Sequence, residues 1–171
     1  EKRTYTANAP IYTTYEDLAE SIKVEAPKDL CNPRKIYASG LFLFINELGK
    51  GIHVINNADP RNPENLYFIN IPGNVDISVN NGYLYADSYS DLVTFDIRDI
   101  NSITEVCRDN QVFEYILPPH NFQYPIAMID PSKGVVSGWE VKEVTEVCEQ
   151  GNCGQSYDIN FDNERLVFNE G

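Results

Sequence analysis

The 171-residue sequence contains few of the residues that usually mark a catalytic centre. It has 2 histidines, 4 cysteines, 1 methionine and 1 tryptophan. It has no Gly-x-Ser-x-Gly or His-Glu-x-x-His motif, and Gly49-Lys50-Gly51 is predicted to be a hairpin tip rather than a phosphate-binding loop. The sequence therefore gives no positive indication of catalysis, and we predict neither a catalytic residue nor a cofactor.

Metal-ligand patterns are also missing. His120 stands alone in an irregular segment, and His53 lies in a strand position that a related segment fills with Val93, which predicts a packing role. Aspartates are dense between positions 87 and 99, but they do not form the Asp-x-Asp-x-Asp-Gly loop of a calcium site. We predict no metal site.

Basic residues are scarce. There are 13 Lys and Arg against 26 Asp and Glu, a formal net charge of −13. Binding to nucleic-acid phosphates or to an anionic lipid surface requires a basic surface, so neither partner is expected. The chain also lacks an apolar run of ~18 residues, so no membrane-spanning helix is predicted.

The sequence does contain a clear strand pattern. Residues 74–107 are predicted to form four short strands joined by tight turns, starting with the alternation of Val75, Ile77 and Val79. Asn80-Asn81-Gly82 is typical of a hairpin turn, because Asn and Gly tolerate positive φ. Four strands in this length match one blade of a β-propeller or one small meander.

Copies of this pattern recur at a spacing of 40 or 41 residues. The matching segments are Phe42–Asn46 with Tyr83–Asp87, Ile52–Ile55 with Leu92–Phe95, and Ile103–Cys107 with Val144–Cys148. A period near 40 is typical of four-stranded propeller blades. We therefore predict an all-β fold of tandem four-stranded antiparallel units, β-propeller-like, with about three and a half units.

The predicted organisation has two parts. Residues 1–30 form an N-terminal arm with one short helix over residues 14–22, which a capping box at Thr13-x-x-Glu16 would open. Residues 31–171 form the repeat-built domain. Its predicted units are residues 35–71, 74–107 and 122–148, followed by a hairpin over 156–169. Closure by the N-terminal arm, an open stack, self-association with a second chain, and membership of a longer propeller all remain open.

Residues Gly51–Pro63, GIHVINNADPRNP, resemble the signature of LVIVD-repeat proteins, in which an apolar strand precedes an Asp-Pro-x-x-Pro turn. The second copy keeps the strand and Asp99 but replaces both prolines with isoleucine. This resemblance covers residues 35–107 well and 117–169 poorly. It implies a propeller-type fold and an exported, periplasmic or cell-surface protein, similar to lipid-anchored proteins of Bacteroides-like bacteria. The resemblance does not imply a catalytic activity.

Export has two consequences for the predictions. Because the chain begins at Glu1 rather than Met, we expect that a leader has been removed, and that any membrane contact is made by a lipid anchor outside this chain. Four cysteines allow three disulfide connectivities in an oxidising compartment. Cys148 and Cys153 would close a small loop, and we name them as the candidate pair.

Non-catalytic binding or scaffolding at the cell surface is the predicted function, with an unknown protein or glycan as ligand. Tyr89, in a polar loop, and Trp139, between Gly138 and Glu140, are candidate exposed aromatic contacts. Glu47 and Asp87 are the candidate acidic contacts. The alternative is a propeller-type hydrolase or lyase that uses acidic residues in a central funnel.

Overall fold

A computed structural model describes residues 2–147. Strands dominate this part of the chain, the sheets are antiparallel, and one short α-helix lies near the N-terminus. The prediction of an all-β, antiparallel fold with one short N-terminal helix is confirmed at this level. Within residues 2–147, no helix combines the length and the apolar character needed to cross a membrane.

The elements follow one another with short connections until residue 109, after which the chain has a long segment without strands. The helix is α1, Tyr15–Ser21, and the strands are β1 Lys2–Thr13, β2 Lys23–Glu25, β3 Pro33–Ser39, β4 Phe42–Glu47, β5 Gly51–Asn56, β6 Glu64–Asn70, β7 Ile77–Asn80, β8 Tyr83–Ser88, β9 Asp91–Asp96, β10 Thr104–Asp109 and β11 Val135–Val147.

The helix begins one residue later than the capping box predicts. The Thr14 hydroxyl accepts a hydrogen bond from the backbone N–H of Asp17 at 3.0 Å, so Thr14 rather than Thr13 is the N-cap. Leu18 is buried, whereas Tyr15 is half exposed. The helix therefore packs mainly through Leu18.

The first large sheet has five strands in the order β2-β6-β5-β4-β3. Strands β3 to β6 form a continuous meander, and β2 adds to its edge. Gly51 opens β5 with a φ of 143°, and a Cβ at this position would lie 2.1 Å from the carbonyl oxygen of Ile69. Glycine is required here because the backbones of β5 and β6 approach too closely for any side chain.

The second large sheet has four strands in the order β10-β9-β8-β7. The predicted turn at Asn81-Gly82 is present, with φ values of 49° and 81° that suit a tight hairpin. The first strand begins at Ile77, two residues later than the alternation suggests, and Val75 is half exposed.

One hydrophobic core joins the two large sheets. Its buried members come from β4 to β9 together with Ile22, Ile71, Ile97 and Ile103. Phe44 and Phe95 are 1% exposed, and a fully buried Phe side chain stabilises a fold by about 1.5–3 kcal/mol. This core fixes the relative position of the two sheets.

The predicted third unit over residues 122–148 differs from the structure. Three strands were expected there, whereas residues 122–134 contain no strand and Val135–Val147 form the single strand β11. The long strand β1 supplies a continuous antiparallel partner for β11, from Lys2 opposite Val147 to Thr13 opposite Val135. The first part of the N-terminal arm is thus a strand, and it pairs with β11 in a separate two-stranded sheet.

Asn8 holds residues 121–127 against β1. Its buried amide donates to the carbonyl oxygens of Asn121 and Tyr124 at 2.9 and 2.7 Å, and its side-chain oxygen accepts from the Asn121 N–H. These bonds hold the segment as a turn against β1. The predicted hairpin over 156–169 and the candidate disulfide between Cys148 and Cys153 lie outside the described residues.

Candidate functional site

Two clefts in the described part of the chain contain or adjoin the predicted site residues. The first, which we call the tyrosine cleft, has a volume of about 350 Å³ and is lined by Tyr15, Ser90, Gln111, Phe113, Tyr115, Ile129, Pro131, Gly134, Val135 and Val136. The second, the Glu47 cleft, has a volume of about 300 Å³ and is lined by Lys28, Asp29, Cys31, Glu47, Gly49, Lys50, Phe68, Asn70 and Pro72.

Backbone hydrogen bonds position the aromatic wall of the tyrosine cleft. The Gln111 N–H donates to the Asp91 carboxylate at 3.0 Å, and the Phe113 N–H donates to the Ser90 carbonyl oxygen at 2.9 Å. Asp91 is itself buried. The segment after β10 is therefore fixed against the β8–β9 turn although it contains no strand.

Tyr115 also lines this cleft. Its hydroxyl donates to the Val136 carbonyl oxygen at 2.7 Å, which ties the segment to β11. Burial raises the pKa of the Tyr115 phenol to about 12.

Tyr89 is not the exposed aromatic side chain that the sequence predicts. It adopts a left-handed φ of 54°, uncommon for a bulky residue, and its ring covers Gly73 so closely that a Cβ there would lie 2.7 Å from the ring. The ring is half buried, 6.2 Å from that of Tyr115. Tyr89 therefore lies next to the lining residue Tyr115 but does not itself line the tyrosine cleft.

The tyrosine cleft has no charged lining residue. Tyr15 and Phe113 remain 49% and 44% exposed, so two aromatic rings are available to a ligand. The Gln111 amide and the Ser90 hydroxyl supply polar groups beside them. This combination suits a neutral ligand with apolar faces and hydrogen-bonding edges.

Glu47 lies in the other cleft, with only 4% of its side chain exposed. Its carboxylate accepts from Lys50 Nζ at 2.5 Å and contacts His53 Nε2 at 3.0 Å. These two partners, Lys50 more than His53, hold the pKa of Glu47 below its usual value of 4.5.

His53 is fully buried, as its predicted packing role requires. Its ring makes an edge contact with Phe68 at a centroid distance of 4.8 Å, and its Nδ1 has no hydrogen-bond partner among residues 2–147. The imidazole thus links the Glu47 carboxylate to the aromatic ring that lines the same cleft.

Asp87 has a structural role in the described chain. Its Oδ1 accepts hydrogen bonds from the backbone N–H groups of Val75 and Asp76, both at 2.8 Å, and from the Asn74 amide at 2.9 Å. Burial raises the pKa of Asp87, against the lowering effect of the backbone donors. The carboxylate is occupied in holding the loop before β7.

Trp139 lies apart from both clefts. Its indole N–H donates to the Pro118 carbonyl oxygen at 2.8 Å, and its ring lies 6.0 Å from that of His120. The side chain is half buried. Its described contacts fix the Pro118-Pro119 segment to β11.

The four predicted contact residues are therefore not brought together. Glu47 lines one cleft and Tyr89 supports the other, whereas Asp87 and Trp139 organise loops. Phe113 and Tyr115 were missed because they lie in a segment without strand periodicity, although alternate aromatic residues at 113 and 115 were a usable signal. Residues 2–147 hold no cluster of three or more His, Cys, Asp or Glu side chains suited to a metal ion.

The comparisons with known proteins give no match. A scan against protein-family models finds none that matches the chain. Searches of curated proteins and of solved structures find no match either.

Proposed function

We propose that this protein is a non-catalytic binding module that recognises a neutral glycan in the tyrosine cleft. The observation that carries the proposal is the combination of exposed aromatic rings, an amide and a hydroxyl in a cleft without any charged lining residue. Aromatic faces pack against the C–H faces of sugar rings, and the amide and hydroxyl can bond their hydroxyl groups.

The size of the cleft favours a glycan over a protein surface. A volume of about 350 Å³ lies within the range of small-molecule sites. A stable protein–protein interface usually needs about 800 Å² from each partner, which is far more than this cleft offers. The experiment below must therefore distinguish binding of a glycan from binding of a protein.

We propose further that the two large sheets are tandem copies of one four-stranded unit in a propeller-like, LVIVD-type scaffold. Their pairing registers support this proposal. Strands β4 and β5 pair from Phe42 opposite Asn56 to Glu47 opposite Gly51, and β8 and β9 pair from Tyr83 opposite Asp96 to Ser88 opposite Asp91. Adding 41 to the residue numbers of β4 and 40 to those of β5 gives the residue pairs of β8 and β9.

An irregularity in the pairing supports the same proposal. Leu66 is the extra residue of a bulge opposite Val54 and Ile55, and Val106 is the extra residue of a bulge opposite Thr94 and Phe95. Each of the three residues in the first bulge lies 40 positions before its counterpart in the second bulge. Bulges are specific features of a fold, so the same bulge at the same place is difficult to explain without duplication.

The compartment and assembly remain part of the proposal. An LVIVD-type protein would be exported to the periplasm or the cell surface and held there by a lipid anchor outside this chain. Antibody labelling of intact cells, compared with lysed cells, tests the surface location. Sedimentation velocity tests self-association.

The hydrolase or lyase alternative has weaker support. It requires a pair of carboxylates that can act on one bond. Glu47 already binds Lys50 and His53, and Asp87 accepts three N–H donors. Both carboxylates have structural partners.

A neutral-glycan array tests the proposed function, with a matched pair of variants. Phe113 lies in the tyrosine cleft, whereas Phe122 is 87% exposed and lies outside its lining. For the strongest hit we expect Phe113→Ala to weaken binding about tenfold and Phe122→Ala to leave it unchanged.

Three results would contradict the proposal. These are no glycan bound by the native protein, equal losses in the two variants, or binding only to a protein partner offered in parallel. Circular dichroism of both variants shows that the fold is intact.

A further inference from the structure

We infer that the Glu47 cleft is a second binding site, one that accepts an organic cation such as a guanidinium or alkylammonium group. In this site Glu47 supplies the counter-ion and Phe68 supplies an aromatic face. The site is separate from the tyrosine cleft, because the two clefts share no lining residue. The inference therefore goes beyond the proposed glycan binding.

The Glu47 carboxylate is a preorganised receptor for a cation. Its side chain is almost fully buried, and the His53 ring fixes one oxygen at 3.0 Å. The other oxygen faces Lys50 Nζ at 2.5 Å. Charge-assisted hydrogen bonds of this kind are roughly twice as strong as neutral ones.

The Phe68 ring already binds an ammonium group. Lys28 Nζ lies 4.3 Å from the centroid of this ring, within the range of a cation–π contact. The His53 ring contacts Phe68 from another direction at 4.8 Å. Because His53 touches both Glu47 and Phe68, the carboxylate and the aromatic ring belong to one continuous site.

Both receptor groups are thus occupied by lysines of the chain itself. Lys28 also pairs with Glu25 at 2.7 Å, a partly exposed ion pair of a kind that usually contributes no more than about 1 kcal/mol, so it does not hold the lysine firmly. The Lys28 and Lys50 side chains are 49% and 62% exposed, so each can return its ammonium group to water. Each released lysine also regains rotamer entropy. An incoming cation would take the place of these lysine ammonium groups with a group of the same charge.

Charge favours a cation over an anion. The lining contains two lysines and two carboxylates, Asp29 and Glu47, so displacement of the lysines leaves an acidic cleft. The net charge of −13 for the whole chain attracts cations and repels anions.

The test measures binding of N-acetyl-arginine amide by isothermal titration calorimetry. N-acetyl-citrulline amide, a neutral ligand of the same shape, is the ligand control. We expect the variant Lys28→Ala/Lys50→Ala to bind the arginine ligand about tenfold more tightly than the native protein, since the internal competitors are gone. Neither protein should bind the citrulline ligand.

A matched double variant separates the site from a general charge effect. Lys133 and Lys142 are also exposed lysines in ion pairs, and Lys133→Ala/Lys142→Ala changes the net charge by the same amount. We expect this variant to bind the arginine ligand less than twofold more tightly than the native protein. Adding Glu47→Gln to Lys28→Ala/Lys50→Ala should abolish the gain.

The inference is overturned if both double variants gain affinity equally, or if citrulline binds as well as arginine. It is also overturned if Glu47→Gln leaves the gain intact. Should Glu47→Gln prevent folding, the arginine and citrulline comparison in Lys28→Ala/Lys50→Ala decides the question alone.

Discussion

Glu47 and Asp87 are both carboxylates near the end of a strand, yet their surroundings give them opposite properties. Glu47 faces the Lys50 ammonium group and the His53 ring, which lower its pKa. Asp87 is withdrawn from water among backbone donors, and the loss of solvent raises its pKa. The difference follows from the neighbours and cannot be predicted from residue type.

The contacts of Glu47 with Lys50 and His53 make the free energy of unfolding sensitive to acid. Because the pKa of Glu47 is lower in the folded chain than its usual value of 4.5, its contribution to stability is complete above that value and disappears as the pH falls through the folded pKa. We expect Glu47→Gln to lower the free energy of unfolding at pH 7 and to flatten its pH dependence below about pH 4.5. Urea titrations followed by Trp139 fluorescence measure both effects.

The exposed Glu64→Gln variant is the control for this experiment. It should leave both quantities unchanged. An unchanged acid profile in Glu47→Gln would show that the Lys50 and His53 contacts contribute nothing to stability.

Tyr115 makes the fold sensitive to alkali. Its folded pKa of about 12 lies above the usual 10, so its contribution is complete below pH 10 and disappears as the pH rises towards 12. Tyr5 has a similar pKa. We expect an ultraviolet phenolate titration to show a late-titrating component in the native protein, and this component should be smaller by one phenol in Tyr115→Phe. A native titration without a late group would contradict the burial of Tyr115.

At the scale of the elements, Asn74 joins the two large sheets. It is fully buried, accepts from the Asn46 amide of β4 at 2.5 Å, and donates to the Asp87 side chain of β8 at 2.9 Å. Asn46 and Asp87 are related by the 41-residue shift. One side chain therefore bridges corresponding positions of two strands.

Loss of the Asn74 bridge should destabilise the fold. We expect Asn74→Ala to lower the free energy of unfolding by about 3 kcal/mol, because the buried Asn46 amide loses its acceptor and the loop before β7 loses its anchor. The exposed Asn62→Ala should change it by less than about 0.5 kcal/mol. Chemical denaturation distinguishes the two, and equal effects would exclude the bridging role.

The start of β5 gives a second prediction at this scale. A Cβ at Gly51 would overlap the Ile69 carbonyl oxygen at 2.1 Å, so Gly51→Ala should cost about 3 kcal/mol or more by separating β5 from β6. Gly40 also has positive φ but lies in open space. Gly40→Ala should cost only about 1–2 kcal/mol, from backbone strain. Thermal unfolding compares them, and a Gly51→Ala protein as stable as Gly40→Ala would contradict the close approach.

The elements that could be predicted are those whose partners are near in sequence. Strands β3 to β10 pair with their neighbours, so alternation and turn residues such as Asn81-Gly82 were sufficient to find them. The pairing of β1 with β11 joins residues more than a hundred positions apart. Sequence pattern alone cannot identify such a partner, so residues 122–148 were predicted to be a third unit rather than a single strand paired with β1.

At the scale of the whole molecule, the tyrosine cleft forms where four separate parts of the chain meet. These are α1, the β8–β9 turn, the segment after β10, and the start of β11. Tyr89, the candidate contact predicted in this region, has a left-handed φ and is not among the residues that line the cleft. Residues distant in sequence create the lining, so the cleft itself could not be predicted.

The central claim is that ligands enter the tyrosine cleft. The most direct measurement is an amide NMR titration of the native protein with the strongest binder from the glycan array. The account predicts saturable shifts concentrated at Gln111, Phe113, Tyr115 and Val136, with Gly49 and Asn70 unchanged. Shifts that avoid the tyrosine cleft, or that spread evenly over the protein surface, would contradict it.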